Sequence, residues 1–167
     1  IDAAYYLIHS MSTSATNFKE LEKKCAQNFK KLIQDTNCKQ VIYLSGIVND
    51  NSLSKHLQSR LDVETILQSK KYALTVFRAG IIVGSGSASF EIIRDIVEKL
   101  PVMVTPRWLN TKTQPIAVRD VLAFLERAVG NEKLYNNSFD ICGPEILTYK
   151  EMILQFGEVR ALKRYIL

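Results

Sequence analysis

The stretch from His56 to Ser87, HLQSRLDVETILQSKKYALTVFRAGIIVGSGS, does most to constrain how this chain can fold. Its first part reads as a helix, about 54–69, that carries His56 and Arg60 one turn apart, with Leu57, Leu61, Glu64 and Leu67 recurring at three- and four-residue steps. An apolar strand over 73–77 comes next. Arg78-Ala79-Gly80 then opens a turn that runs into a Gly/Ser-rich loop. Helix, strand and polar loop in that order make one half of a nucleotide-binding α/β unit.

The same alternation extends in both directions. Residues 3–8 read as a buried strand, broken by the polar run His9-Ser10-Met11-Ser12-Thr13-Ser14. That run follows the carboxyl end of a strand, where open α/β sheets place their ligands. Asn17 and Glu20 form a helix-start signal. Phe18, Leu21, Cys25, Phe29, Leu32 and Ile33 follow at helical spacing and are expected to face a sheet. Val41–Leu44 is a strand ending in Ser45-Gly46. Further helices begin at Ser87 or Ser89, at Arg119-Asp120 with Asp120 as the cap, and at Thr148, where Glu151 completes a capping box. Short strands are expected at 102–104, 116–118 and 138–141, and Trp108 stands in a loop over the core. Strands alternating with helices throughout predict an α/β fold: a mostly parallel sheet with helices on both faces.

With 167 residues there is room for one domain with one sizeable core. The net charge of +5 is modest, and the densest basic run, Lys19 to Lys31, is interleaved with Glu20 and Glu22 as on a solvated helix face, so charge points to no nucleic-acid partner. Cys25, Cys38 and Cys142 lack metal-ligand spacing. Cys25 and Cys142 read as buried thiols, and the pattern fits a reducing compartment. The sequence shows no signal-peptide pattern and no apolar run long enough to span a membrane, and a cytoplasmic location is expected.

No G-x-G-x-x-G turn follows the first strand. Gly84 and Gly86 follow a late strand and read as turn glycines. The ordered series Ser45-Gly46, Ser59-Arg60, Glu64 and Leu74–Gly84 (LTVFRAGIIVG) nevertheless resembles the middle of an NAD(P)-dependent epimerase/dehydratase, an extended or atypical member of the short-chain dehydrogenase/reductase superfamily. Gln114–Val121 (QPIAVRDV) and Phe139–Thr148 (FDICGPEILT) are similar to later elements of that family. The likeness is greatest to an atypical branch that includes the NmrA-like proteins and an accessory subunit of respiratory complex I.

This resemblance implies a Rossmann-like partial domain over 1–167, from the family's fourth strand onward, with the glycine-rich strands lying before Ile1. The absence of an initiator Met and the apolar run at Tyr165–Leu167 agree with that expectation. It implies an NAD or NADP cofactor, bound weakly by this part alone, and a small-molecule substrate. Implied cofactor contacts are His9, Ser10 and Met11 after one strand, and Arg78, Ala79, Gly80 and Ile81 after another. The implied catalytic group is Ser45, His56 and Arg60, with His56 and Arg60 at the positions of the family's Tyr and Lys. Histidine can exchange a proton near neutral pH, and arginine can hydrogen-bond a ribose. Each also has a plain structural reading: His56 at the surface, Arg60 paired with Glu64 four residues on, Ser45 as a strand-end residue, and Arg78 as a carboxylate partner. The implied function is an oxidoreductase or nucleoside-diphosphate-sugar epimerase. The alternative is a non-catalytic dinucleotide-binding sensor or assembly factor. A strand at 3–8 without a neighbour on one side would leave an apolar edge open to self-association.

Overall fold

A computed structural model describes residues 1–8, 18–48, 55–104 and 106–166, without the side chains of Phe18, Lys55, His56 and Arg107. Their elements, in chain order, begin with β1 (Ala3–Tyr6), α1 (Phe18–Gln34), β2 (Gln40–Gly46), α2 (Lys55–Leu67) and β3 (Ala73–Ala79). Next come β4 (Ile82–Val83), α3 (Ala88–Lys99), β5 (Val102–Met103), β6 (Lys112–Thr113), β7 (Ile116–Ala117) and α4 (Val118–Ala128). The last are β8 (Asn137–Ile141), β9 (Leu147–Thr148), α5 (Tyr149–Val159) and β10 (Tyr165–Ile166). They form two compact units: Ile1–Ala79 with Ala123–Asp140, and Gly80–Leu122 with Ile141–Leu167.

The first unit is built on a four-stranded sheet of order β1-β2-β3-β8. β1 runs parallel to β2, and β2 parallel to β3. Alternation along the strands sends Val41, Tyr43, Leu74 and Val76 to one face, where they pack with Ala26 and Ile33 of α1 and Val63 and Leu67 of α2. The opposite face meets α4: Phe77 lies 6.0 Å from Phe124 between ring centres. The two buried strands read as continuous apolar runs, as expected where both faces are covered.

One buried amide ties that second face together. Gln40 is 1% exposed. Its Nε2 donates to Thr75 Oγ1 at 3.0 Å and to the Ala128 carbonyl at 2.9 Å, while its Oε1 accepts from the Gly130 amide at 2.9 Å. The Ala128 carbonyl, in the last turn of α4, thus accepts from the sheet as well as from the Asn131 amide at 3.1 Å.

Several expectations need correction here. The inward face of α1 is Glu22, Ala26, Phe29 and Ile33, not the stripe through Leu21 and Cys25: Leu21 is 51% and Leu32 70% exposed. Cys25 is therefore exposed, and so is Cys142, one residue past β8; all three cysteines are free. Glu22 is buried, accepting a hydrogen bond from the fully buried Ser59 hydroxyl of α2. The basic run of α1 is largely spent on α2. Lys19 and Lys23 both pair with Asp62 at 3.2 Å, and Lys30 donates to the Gln68 carbonyl. Hydrogen bonds from Gln58, Lys23 and Lys19 pull the Asp62 carboxyl below its usual range against the opposing effect of its partial burial. The start signal at Asn17 lies outside the described residues.

The second unit packs α3 against α5, with Ile93, Val97, Met103, Leu109, Met152 and Ile153 in its core. The short strands expected at 102–104 and 116–118 do not join the main sheet. They pair two by two instead: β4 with β7 and β5 with β10 in parallel, β6 with β9 antiparallel. Ser87 caps α3, and Thr148 and Glu151 form the capping box of α5. α4 starts at Val118, two residues earlier than expected. Asp120 thus stands in its first turn, where a negative charge suits the helix dipole, and is not the cap. Gly84 is a packing glycine: a Cβ there would fall 2.4 Å from Val118 Cγ1. Trp108 meets Tyr149 edge-to-face, ring centres 5.5 Å apart. Among the described residues no helix is long and apolar enough to cross a membrane.

Candidate functional site

The carboxyl ends of β2 and β3 gather the polar groups of the first unit. The parallel register sets Ser45 beside Arg78 and Gly46 beside Ala79. The alternation that faces Tyr43 toward α2 does the same for Ser45, and that which faces Val76 there also faces Arg78.

Arg60 reaches this strand end from α2. A Cβ on Gly46 would lie 3.1 Å from Arg60 Nη1 and 3.3 Å from Leu57 Cδ2. The guanidinium thus rests against the backbone where a side chain would stand. The alternative ion pair of Arg60 with Glu64 is not formed, and among the described residues no carboxylate pairs with Arg60. Glu64 goes instead to Arg78, whose Nη2 and Nε donate to its two carboxylate oxygens at 2.7 and 3.2 Å, and it also accepts from the Ser138 hydroxyl at 3.0 Å. These bonds to Glu64 raise the Arg78 pKa further.

Ser45 is 3% exposed, and its Oγ has no hydrogen-bond partner. It lies close enough to the Tyr43 phenol to draw that group's pKa down, but not in hydrogen-bonding geometry. Burial outweighs this, and the positive Arg60 nearby, so Tyr43 is raised above its ordinary value. Its hydroxyl makes a marginal 3.5 Å contact with the Arg60 carbonyl. An orphaned buried hydroxyl is rare in native structures and marks a place where a partner can be supplied.

Of the remaining sequence-predicted residues, several lie outside those described. His56 belongs to α2, four residues before Arg60 and so on the same helix face, but its side chain lies outside the described residues. His9, Ser10 and Met11 lie outside them altogether. Ala79 ends β3 in the first unit and is 4% exposed, whereas Gly80 and Ile81 begin the second unit. Sequence reasoning overlooked Tyr43 and Glu22. Tyr43 could have been found from its place two residues before Ser45 on one strand face. Glu22 had no such signal, because its partner Ser59 is 37 residues away. Among the described residues no cluster of His, Cys, Asp or Glu could hold a metal ion.

A parallel sheet with helices on both faces and polar groups at its strand ends is the Rossmann-like α/β fold expected from the sequence. No family model and no curated protein matches the chain. Solved structures do. MoeE5 in complex with UDP-glucuronic acid and NAD aligns at a TM-score of 0.80 and 11% identity, covering 100% of this chain and 65% of that one. The UDP-N-acetylglucosamine 4-epimerase from Bacillus cereus aligns at 0.77 and 16% identity, covering 100% and 66%. A short-chain dehydrogenase/reductase superfamily protein from Agrobacterium tumefaciens with bound NAD aligns at 0.78 and 9% identity, covering 100% and 67%. The fold is therefore that of the NAD-dependent epimerases and dehydratases, and the chain spans about two thirds of their length.

Proposed function

We propose that the chain is part of an NAD(P)-binding protein of the short-chain dehydrogenase/reductase type, an oxidoreductase or nucleoside-diphosphate-sugar epimerase-like enzyme. The observation that carries this reading is Arg60 lying against Gly46, the residue that follows Ser45 and its orphaned hydroxyl, at the end of a parallel strand. The fold shared with three structures of this kind, two of them holding NAD, supports it.

A nicotinamide cofactor supplies or accepts hydride when bound. Arg60 holds a ribose hydroxyl through its guanidinium. Ser45 gains its missing partner in a substrate oxygen and orients it. His56, on the Arg60 face of α2, exchanges the proton at that oxygen. The Arg78 guanidinium is committed to Glu64, so that position offers a ligand its backbone. The partners are a dinucleotide and a small molecule, in a reducing, cytoplasmic setting, with the edge of β1, unpaired on one side among the described residues, as a surface for self-association. Leu7 and Ile8, just past that strand, are 50% and 56% exposed.

One observation favours a second reading, a dinucleotide-binding sensor or assembly factor without turnover: the Ser45 hydroxyl is sealed from solvent. Calorimetry of the full-length chain with NAD and NADP tests binding, and turnover on a carbonyl panel, before and after His56→Ala, tests catalysis. The enzyme reading expects binding in both forms and turnover only in the parent. Binding without turnover in either form leaves the sensor, and no binding rejects both.

A further inference from the structure

The second unit contains a cavity of about 670 Å³, within the range typical of small-molecule sites. Its wall is formed by α3, β5 and the turn around Trp108. Ile92, Ile96, Leu100, Val102 and Trp108 line it, and no charged side chain does so among the described residues. Four of these five are exposed, Ile92 at 61%, Leu100 at 47%, Val102 at 53% and Trp108 at 57%. Large apolar side chains facing solvent together, in a hollow, mark a surface that something covers.

The lining also says what kind of molecule fits. Among the described residues no cation stands there to meet a phosphate or carboxylate, which would lose its water without compensation. The polar groups are few, the hydroxyls of Ser89, Thr111 and Tyr149. Tyr149 also backs Trp108 edge-to-face, so the indole is held as one rigid aromatic wall. We infer that this cavity binds a neutral, largely apolar small molecule bearing a ring that packs on Trp108 and at most one or two hydroxyl or carbonyl groups. The concave shape favours such a ligand over a second copy of the chain, whose interface would need a broad, flatter surface. The inference stands on the second unit alone and is independent of the site at Ser45 and Arg60.

Trp108 is the only tryptophan, so its fluorescence reports on the cavity directly. The full chain is titrated with the neutral probe N-phenyl-1-naphthylamine while Trp108 emission is followed, at low and high salt. Saturable one-to-one quenching that is insensitive to salt is expected. Ile92→Glu should weaken it about tenfold or more, since it replaces apolar contact with a charge. Ile92 is exposed, so this variant is expected to fold, which circular dichroism checks. Ile146→Glu, exposed in the same unit but away from the cavity, should leave binding unchanged. Absent saturation, or equal effects of the two substitutions, overturns the inference. So does a blue shift of Trp108 that grows with protein concentration, without probe, as dimers form in sedimentation: the occupant is then another copy of the chain.

Discussion

Glu64 of α2 grips Arg78 of β3 through both carboxylate oxygens, and in doing so leaves Arg60, one turn earlier on the same helix, unpaired among the described residues. The choice follows from geometry. Arg78 approaches from the sheet as a planar fork that matches a carboxylate with two parallel bonds, which a helix neighbour four residues away seldom achieves. Glu64 is 9% exposed, so removing it strands a half-buried guanidinium and the Ser138 hydroxyl together. Glu64→Ala should destabilise the protein by about 2–3 kcal/mol in urea unfolding. A loss under about 0.5 kcal/mol would show that the pair is no more than a surface contact.

Ser45→Ala should behave in the opposite way. Its hydroxyl is buried without a partner, so its removal relieves a desolvation cost of about 1 kcal/mol while creating almost no cavity. Urea unfolding of this variant is expected to show equal or slightly greater stability, alongside reduced turnover or ligand affinity. Marked destabilisation would mean that the hydroxyl already has a structural partner.

Gly46→Ala probes the approach of Arg60. The new methyl would meet Arg60 Nη1 at 3.1 Å, the far end of a flexible side chain that can withdraw by a few tenths of an ångström. The fold should lose less than about 1 kcal/mol, within the range of ordinary substitutions. Dinucleotide affinity, measured by calorimetry, should fall several-fold as the guanidinium moves. Unchanged affinity would remove Arg60 from the binding site.

Alkaline pH offers a test that involves no ligand. Burial pushes the phenols of Tyr6 and Tyr72 up to about 12 from an ordinary value near 10. A pKa raised in the folded state contributes stability that is complete below the unfolded value and is lost as pH climbs through the folded one. Urea midpoints should therefore fall between pH 10 and 12. Ultraviolet titration should show at least two of the seven tyrosines ionising late. Tyr72→Phe should flatten that decline, although it also removes the 2.6 Å bond from the Tyr72 hydroxyl to the Leu67 carbonyl. A titration in which all tyrosines ionise near 10 would contradict the burial.

The strands and helices were legible because their signals are local: apolar runs for β2 and β3, a capping box at Thr148, and Ser87 before α3. The faces were less so. On α1, Leu21 and Cys25 looked inward by hydrophobicity, yet Glu22 is the buried one because Ser59 waits for it on α2. Helical spacing alone suggested Glu64 for Arg60, whereas strand parity, equally present in the sequence, turned Arg78 toward the same carboxylate. Arg60 comes up against the end of β2 because Gly46 has no side chain there, a close approach that residue types hint at and only coordinates measure. The gathering of the short strands into a second unit depends on long-range pairing such as Val102 with Tyr165, to which no local pattern points.

Gln40 has a bearing on how the protein comes into being. As the ribosome releases the chain, β2 emerges early, but the groups its amide needs, the Ala128 carbonyl and the Gly130 amide, follow 88 and 90 residues later. The segment between β3 and Ala123 belongs to the other unit. Until synthesis passes Gly130, this polar side chain has only the Thr75 hydroxyl of its three partners, and the second face of the sheet has no α4 to cover it. Completion of the first unit is thereby timed to the arrival of the end of α4, long after its first strands have been made.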